Sequence, residues 1–315
     1  MTVTDVPRRS RSLRERSTLP RELDAYDRQP AQMPVGVGKE GVLRLDFERR
    51  GERTSLVRLF RQAPLLVQQA LYHDDALPTM PYVSIITISG CVVQGDRYDV
   101  TVRVGPDAMA HLTSQAAMKV HAMDANHASQ HQHFRLDAGA YLEVLPRQII
   151  PFRDSRFAST TLATVDPSAT LVYAETLAPG RTHHGGEDFN YDLYLAEVRG
   201  ERPDGTRLFT ERVVIEPGQG HVREVGSMGG YDVYANVVIM TTPEVAEQVA
   251  ERAPVGVDVG GGCAAGTSHL PNGAGLVVKT LGPDASSVRA VVHHVADLTR
   301  RAVLGVGLEE DRPWR

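Results

Sequence analysis

Apolar and polar residues alternate along much of this chain, which is the pattern of half-buried β-strands. Residues 41–48 show this alternation, Gly51 interrupts it and residues 54–60 resume it, so we predict a β-hairpin over this region. Residues 82–88 are rich in β-branched side chains and predict another strand. Further strands are predicted at residues 171–175, 191–198, 212–216 and 231–240. The pattern therefore favours a fold that is mainly β.

A similar segment recurs at nearly constant spacing in the middle of the chain. Its copies are Ala110-His111-Leu112, Ala140-Tyr141-Leu142 and Ala169-Thr170-Leu171, which lie 30 and 29 residues apart. Each copy follows a short apolar run and a turn sequence, namely Gly105-Pro106-Asp107, Asp137-Ala138-Gly139 and Asp166-Pro167-Ser168. Units of strand, tight turn and strand at fixed spacing are typical of stacked β architectures, because one unit cannot bury its apolar face alone. A coincidental series of hairpins in a β-sandwich is the alternative.

The period of the pattern changes near the C-terminus, where we predict two α-helices. Thr242 can cap the first helix, Pro243 suits its first turn, and the helix is predicted to run to about Arg252. The second helix follows Asp284, and Gly305 is placed to end it. Its apolar residues are largely at helical spacing: Val288, Val291, Val292, Val295, Leu298, Val303 and Leu304. We therefore expect a sheet-rich body with a helical cover.

Composition and charge narrow the range of partners. The chain has 315 residues, of which 42% are hydrophobic and 23% are charged, with a net charge of -5 at pH 7. This charge gives no general attraction to nucleic acid or anionic lipid, and no apolar run approaches the roughly 20 residues that span a bilayer. Cys91 and Cys263 could form at most one disulfide, which fits a reducing compartment. We expect a cytoplasmic protein with neither nucleic acid nor membrane as a partner.

The N-terminal residues 1–35 are predicted to form a mobile tail, and residues 36–315 a single β-rich domain. The tail carries mixed charge and ends at a cluster that contains Pro30 and Pro34. Arg8 and Arg9 match the twin arginine of some export signals. However, polar residues follow where such a signal requires an apolar segment, so we do not interpret the tail as a signal peptide.

Histidines are concentrated in the middle of the chain. Seven of the twelve are His111, His121, His127, His131, His133, His183 and His184. If residues 130–136 form a strand, His131 and His133 project from the same face, and His127 could fold back beside them. Neutral imidazole binds nickel, copper and zinc, so this trio is a candidate for transient metal contact. The alternative is that these histidines belong to a polar edge strand that faces solvent. The thiolates and tight spacing that are typical of structural metal sites are missing here.

Two segments partly match motifs of catalysis or phosphate binding. Gly266-Thr267-Ser268 begins like a nucleophile elbow, but Leu270 stands where the closing glycine is required. The glycine-rich segment 256–262 is not followed by the Gly-Lys-Ser/Thr sequence of a phosphate-binding loop. The residues themselves therefore predict neither catalytic residues nor a tightly bound cofactor, and we do not expect an enzyme.

An ordered set of motifs over about residues 36–315 resembles one known family. The set opens with Gly90 and with Gly95-Asp96-Arg97. It continues through residues 112–120, 139–146 and 149–152, Glu175, residues 179–181, 270–273 and 281–282. On these residues the chain resembles the urease accessory protein UreD family, called UreH in some lineages. Two departures are Cys91, where a second glycine is usual, and Met118, which replaces a small polar residue.

The resemblance implies a β-helix-like body of stacked strands with two α-helices near the C-terminus, in agreement with the recurrence described above. It also implies a non-catalytic scaffold that helps to deliver nickel into apo-urease. The implied partners are the urease structural subunits, the accessory protein UreF and the GTPase UreG. A transient nickel relay at His127, His131 and His133 would fit this role.

Two functions from other classes remain open. A metal-dependent enzyme on a small β-helix or cupin-like body would use the same histidines catalytically. A purely structural β-solenoid adaptor would have no link to nickel. Stoichiometric metal with turnover of a small molecule would favour the enzyme, and co-purification with urease subunits would argue against the adaptor.

Overall fold

Two β-sheets face each other and enclose most of the apolar side chains of the protein. The computed structural model describes residues 20–27 and 38–308. In chain order the strands are β1 Glu40–Arg50, β2 Arg53–Gln62, β3 Leu65–Leu66, β4 Ala70–Leu71, β5 Tyr82–Thr87, β6 Arg97–Val104, β7 Met109–Ser114, β8 Met118–Val120, β9 Ala128–Leu136, β10 Tyr141–Val144, β11 Ile149–Pro151, β12 Arg156–Val165, β13 Thr170–Leu177, β14 Gly180–Arg181, β15 Glu187–Asp188, β16 Leu193–Glu201, β17 Arg207–Ile215, β18 Val233–Met240, β19 Gly256–Val257, β20 Ala264–His269 and β21 Gly275–Gly282. The α-helices are α1 Asp24–Asp27, α2 Pro243–Ala250 and α3 Ala285–Leu304.

The first sheet contains seven strands in the order β17-β16-β12-β9-β6-β1-β2. Its five inner strands run parallel to one another, whereas β2 and β17 pair antiparallel at the two edges. The second sheet has the order β19-β20-β21-β18-β13-β10-β7-β5-β3, with β4, β8 and β11 attached beside this path. Strands β5, β7, β10 and β13 run parallel to one another. The successive pairs β13/β18, β18/β21 and β21/β20 are antiparallel.

The three recurring segments lie side by side in the second sheet. Leu142 of β10 pairs in register with Ala110 of β7 on one side and with Leu171 of β13 on the other. The strands that precede them in the chain, β6, β9 and β12, are likewise adjacent and parallel in the first sheet. Each tight turn therefore connects one sheet to the other. The prediction of a mainly β fold is confirmed, while the β-helix-like description stays a prediction.

Both helices predicted near the C-terminus are present. Thr242 caps α2 by accepting a hydrogen bond from Val245 N–H, and the helix ends at Ala250, close to the predicted end. Asp284 Oδ1 caps α3 by accepting hydrogen bonds from the backbone N–H groups of the following two serines, at 2.8 and 2.9 Å. Gly305 ends α3 in the left-handed conformation, at φ 72°. Among the described residues, none of the helices has the length and apolar character needed to cross a bilayer.

Apolar side chains form two main layers. The larger layer fills the space between the two sheets and includes Leu45, Val102, Phe134 and Leu171. The second layer lies on the other face of the second sheet, where α2 and α3 cover it. Its buried residues include Val172, Val237, Ile239, Val288, Val291, Val292 and Val295. The helical stripe predicted from the sequence is therefore the surface by which α3 packs on the sheet.

Part of the predicted N-terminal tail packs against the outer face of the first sheet. Leu23 is fully buried against Ala158, Leu193 and Leu195. Glu22 forms an ion pair with Arg212 at 2.7 Å. Residues 1–19 and 28–35 of the predicted tail lie outside the described residues. Hydrophobic periodicity does not predict this packed part, because a short helix with a single large aliphatic side chain gives little periodic signal.

Candidate functional site

A cavity of about 240 Å³ lies between the two sheets. The first sheet contributes polar side chains from β9, and the second sheet contributes side chains from β7 and β13. The lining includes Gly90, Cys91, Leu112, Met118, Gln130, Gln132, Tyr173, Glu175 and Thr176. The cavity is therefore lined mainly by apolar side chains, with polar groups contributed by β9 and β13.

A hydrogen-bonded network connects the two sheets beside this cavity. Gln132 Nε2 donates to Thr161 Oγ1 and to Tyr173 OH, both at 3.1 Å. Thr161 Oγ1 in turn lies 3.2 Å from Tyr173 OH. All three side chains are buried, and buried polar groups are costly unless they are hydrogen-bonded. The network thus fixes the position of Tyr173 next to Glu175.

Glu175 is a carboxyl group within a strand whose residues are all buried. Burial raises its pKa to about 7, against the opposing effect of Ser159, Tyr194 and Tyr173, which favour the ionised form. Glu175 is 8% exposed, and the side chains that favour its ionised form, those of Ser159, Tyr194 and Tyr173, carry no positive charge. Glu175 is therefore poised to exchange its proton near neutral pH.

Further oxygen atoms surround this carboxyl. Asn236 of β18 is the direct strand partner of Glu175. Tyr234 OH and Asn236 Oδ1 are buried without a hydrogen-bond partner among the described residues. Such groups in a native protein need an explanation, and bound water or a ligand supplies one. We call Ser159, Tyr173, Glu175, Tyr194, Tyr234 and Asn236 the interior oxygen cluster.

The interior oxygen cluster reaches a second concave region. Tyr234 lines an open groove of about 790 Å³ between the end of β17 and strands β19 to β21. Burial raises the pKa of Tyr234, and the nearby charges of Glu211 and Glu175 raise it further. Glu175 lines the cavity and Tyr234 lines the groove. The cluster therefore lies between the cavity and the groove.

Replacing Glu175 by glutamine is expected to remove a pH dependence of stability. The folded state raises the pKa of this group from 4.5 to about 7, so its stabilising effect is complete below pH 4.5 and is lost as pH rises through 7. The full difference between the folded and unfolded pKa values corresponds to a loss of about 3 kcal/mol in the free energy of unfolding. Urea unfolding at several pH values should show Glu175→Gln equal to the wild type under acidic conditions and more stable above neutrality.

The exposed Glu251→Gln exchange at the end of α2 is the matched control for this measurement. It should follow the wild-type profile throughout. Identical pH profiles for Glu175→Gln and the wild type would show that folding leaves the pKa of Glu175 unchanged.

The family motif residues build a buried turn beside the cavity. Asp96 is fully buried and accepts hydrogen bonds from Lys39 N–H at 2.8 Å, Val93 N–H at 3.1 Å and Tyr98 OH at 3.0 Å. Gly95 has φ 80°, and a Cβ atom there would lie 3.2 Å from the backbone of Gly38. The motif thus holds the start of β1 against the start of β6.

Two further motif residues have different surroundings. Arg97 donates to the backbone carbonyl oxygens of Asp96 and His127 and to Asn126 Oδ1. Gly90 adopts φ 75° and lines the cavity together with Cys91. Cys91 and Cys263 are both free. Arg97 therefore stabilises the loop that leads into β9, and Gly90 shapes the cavity wall.

The structure places the predicted histidine trio in two environments. His131 and His133 lie on the same face of β9, as predicted, but this face points away from the interior, since Gln132 and Phe134 occupy the inner one. His131 Nδ1 lies 2.5 Å from Thr160 Oγ1, and His133 Nε2 lies 3.0 Å from Thr164 Oγ1. His127 is fully buried in the preceding loop.

Metal ligation by these histidines stays a prediction. Burial, reinforced by Arg135, lowers the pKa of His133 to about 4, which keeps this imidazole neutral at pH 7. Within residues 20–27 and 38–308, no three histidine, cysteine, aspartate or glutamate side chains are grouped as a metal site.

The interior oxygen cluster was not recognised as a unit from the sequence. Its members come from β12, β13, β16 and β18, which extend over residues 156–240 and whose side chains meet through sheet pairing and packing. A weak signal is present, because Glu175 and Asn236 are polar residues within largely apolar strands. Such positions need a buried partner or a function.

Comparisons with known proteins agree with the motif pattern. The family described as UreD urease accessory protein matches residues 39–315. The chain is 45% identical over 296 residues to Urease accessory protein UreD 2 of Brucella suis biovar 1, which covers 93% of this chain and 98% of the relative. It is 43% identical over 296 residues to Urease accessory protein UreD of Yersinia pseudotuberculosis serotype O:1b, with 93% and 92% covered. The chain therefore belongs to the UreD family of urease accessory proteins.

Proposed function

We propose that this protein acts in urease maturation as a non-catalytic cytoplasmic scaffold that passes nickel through its interior to apo-urease. Membership in the UreD family supports the role in urease maturation, because its relatives are named as urease accessory proteins. The interior passage is supported by the interior oxygen cluster, which lies between the cavity and the groove.

The chemistry of the cluster suits a cation in transit. A carboxylate, an amide oxygen and hydroxyl groups are harder ligands than thiolate or imidazole, and they hold nickel less tightly. A weakly held ion can be released to a downstream site that offers better ligands. Glu175 would supply the negative charge, since its proton leaves near neutral pH.

We also propose that the successive strand, turn and strand units form a β-helix-like frame around this passage. Two observations support the proposal: β6, β9 and β12 are parallel neighbours in one sheet, and β7, β10 and β13 are parallel neighbours in the other. The side chains that enclose the cavity come from both sets of strands.

The proposed partners are those that the resemblance to the UreD family implies. The accessory protein UreF and the GTPase UreG would act before the passage, and the urease structural subunits would receive the ion. The cavity on one side of the interior oxygen cluster and the groove on the other would give the ion separate points of entry and release.

Nickel incorporation at limiting nickel tests the passage. Glu175→Gln removes the interior negative charge with almost no change in volume, and we expect it to lower the nickel content of co-expressed urease by about tenfold. Nickel would be measured by atomic absorption on purified urease, and partner binding by pull-down. Glu201→Gln, which changes a carboxylate bonded to Thr164 on the first sheet, is the matched control. Undiminished nickel in urease made with Glu175→Gln would remove the interior passage from the proposal.

The same nickel-incorporation assay tests whether the three histidines form a nickel relay that is separate from the interior passage. The variant His131→Ala/His133→Ala, alone and combined with His127→Ala, should reduce nickel incorporation if these imidazoles hold the ion on its way. Normal incorporation by the triple variant at limiting nickel would discard the histidine relay and leave the interior passage unaffected.

A further inference from the structure

The first sheet ends at β2, and no other described strand pairs with the outer side of β2. The direction of its backbone groups follows from the neighbouring strand pair. Arg97 N–H donates to Lys39 O, and Gly105 N–H donates to Phe47 O. Odd-numbered residues of β1 therefore direct their backbone N–H and C=O groups toward β6, and even-numbered residues direct theirs toward β2.

This alternation identifies the free backbone groups of β2. Arg44 of β1 is even-numbered and pairs with Phe60, so the backbone groups of Phe60 point toward β1. The backbone groups of Leu59 and Arg61 consequently point away from the sheet. An edge strand with such outward N–H and C=O groups can pair with an added strand.

The side chains along this edge are partly apolar and exposed. Leu59 is 36% exposed and Phe60 is 48% exposed. Ile88, which is 59% exposed, donates its backbone N–H to Pro64 O just beyond the end of β2. Charged residues often protect an edge strand from unwanted pairing. Such protection does not explain the exposed apolar side chains of this edge, which are suited to contact with a partner.

The charge of the edge defines the kind of partner. Arg53, Arg58 and Arg61 lie on β2, and no aspartate or glutamate occurs between Glu52 and Asp74. Arg58 is 3.7 Å from Asp46 across the strand pair, with the arginine side chain 60% exposed. Although the whole chain carries a net charge of -5, β2 itself carries three arginines and no acidic residue, so this edge is a local positive region.

We propose that β2 binds an extended segment of a partner protein that is rich in acidic and apolar residues, which joins the first sheet as an additional strand. Main-chain hydrogen bonds from Leu59 and Arg61 supply the pairing, and the arginines select the acidic residues. A second copy of this chain fits less well, because antiparallel pairing of two β2 strands would bring two sets of three arginines together.

Fluorescence anisotropy with a labelled short peptide of alternating glutamate and valine tests the proposal. The full-length protein should bind this peptide and should bind its lysine and valine counterpart at least about tenfold more weakly. Arg58→Glu/Arg61→Glu should reverse this preference. Arg252→Glu, at an exposed position beyond α2, is the control that should leave both affinities unchanged.

A proline substitution separates backbone pairing from charge. Leu59→Pro removes an outward N–H and spares the bonds to β1, so the variant should fold and lose peptide binding. Phe60→Pro removes a bond to β1 and should unfold the edge. Equal binding of the two peptides, or normal binding by Leu59→Pro, would overturn the proposal. A concentration-dependent dimer that Leu59→Pro abolishes would also overturn it in favour of a second copy. If Leu59→Pro does not fold, the charge-reversal variant decides the question.

Discussion

Replacing Arg300 by methionine is expected to lower the free energy of unfolding by about 3–5 kcal/mol, because the change leaves buried carboxylates without their counter-ion. The Arg300 side chain is 1% exposed. Its Nε and Nη2 atoms donate to the two carboxylate oxygens of Glu143 at 2.7 and 2.6 Å. Its Nη1 atom donates to Asp74 Oδ2 at 2.5 Å. One guanidinium group thus ties α3 to β10 and to the loop before β5.

The environment of Glu143 supports the size of the loss in stability expected for Arg300→Met. Burial alone would raise its pKa, but hydrogen bonds from Arg300 and His111 outweigh burial and hold the pKa at about 2. The carboxylate therefore stabilises the fold above its ordinary pKa of 4.5, and this stabilisation is lost as pH falls toward 2. A shift of this size corresponds to about 3 kcal/mol.

Arg301→Met is the matched control, since Arg301 is the next residue and pairs with Asp297 at the surface, where its side chain is 58% exposed. Exposed ion pairs contribute only about 0–1 kcal/mol. Urea unfolding at neutral pH would measure both variants. Similar losses for Arg300→Met and Arg301→Met would contradict the structural role of the buried pair.

Replacing Asp96 by alanine is expected to cost about 3 kcal/mol. The change removes one carboxylate that accepts from Lys39 N–H, Val93 N–H and Tyr98 OH, and it leaves the fully buried Tyr98 hydroxyl and two partly buried backbone N–H groups without this acceptor. Because Lys39 precedes β1, the start of the β1 and β6 pair should loosen. Hydrogen exchange of the β1 amides, together with urea unfolding, would detect both effects.

Asp204→Ala is the control for this prediction, because Asp204 accepts only a local bond from Thr206 N–H in an exposed turn. Its loss should stay below about 1 kcal/mol. If Asp96→Ala lowered the free energy of unfolding as little as Asp204→Ala, the Gly95-Asp96-Arg97 motif would have a role other than stabilising this turn.

Local patterns predicted the elements that depend on nearby residues. The hairpin around Gly51 corresponds to β1 and β2, and Thr242, Asp284 and Gly305 mark helix ends as expected. Each of these signals acts within one turn or one strand pair. The order of strands within the sheets depends instead on contacts between distant segments, which single-sequence patterns do not record.

In the candidate site, too, local features could be predicted from the sequence and features that depend on distant segments could not. Residues 131 and 133 could be placed on one face because strand side chains alternate, and the structure agrees. Which face is inner depends on the opposite sheet, so Gln132 rather than its neighbours reaches Tyr173. Likewise, Glu175 and Asn236 meet because β13 and β18 are paired, across 61 positions of sequence.

The late position of α3 in the chain has a consequence for biosynthesis. Arg300 bonds to residues that precede it by 157 and 226 positions, and the helix covers Val237 and Ile239 of the second sheet. Ribosomes add about 5–20 residues per second, so this valine-rich surface of the second sheet is synthesised seconds before the α3 helix that covers it. Nascent chains would be prone to associate during that interval, and slow overproduction together with general chaperones should raise the yield of folded protein.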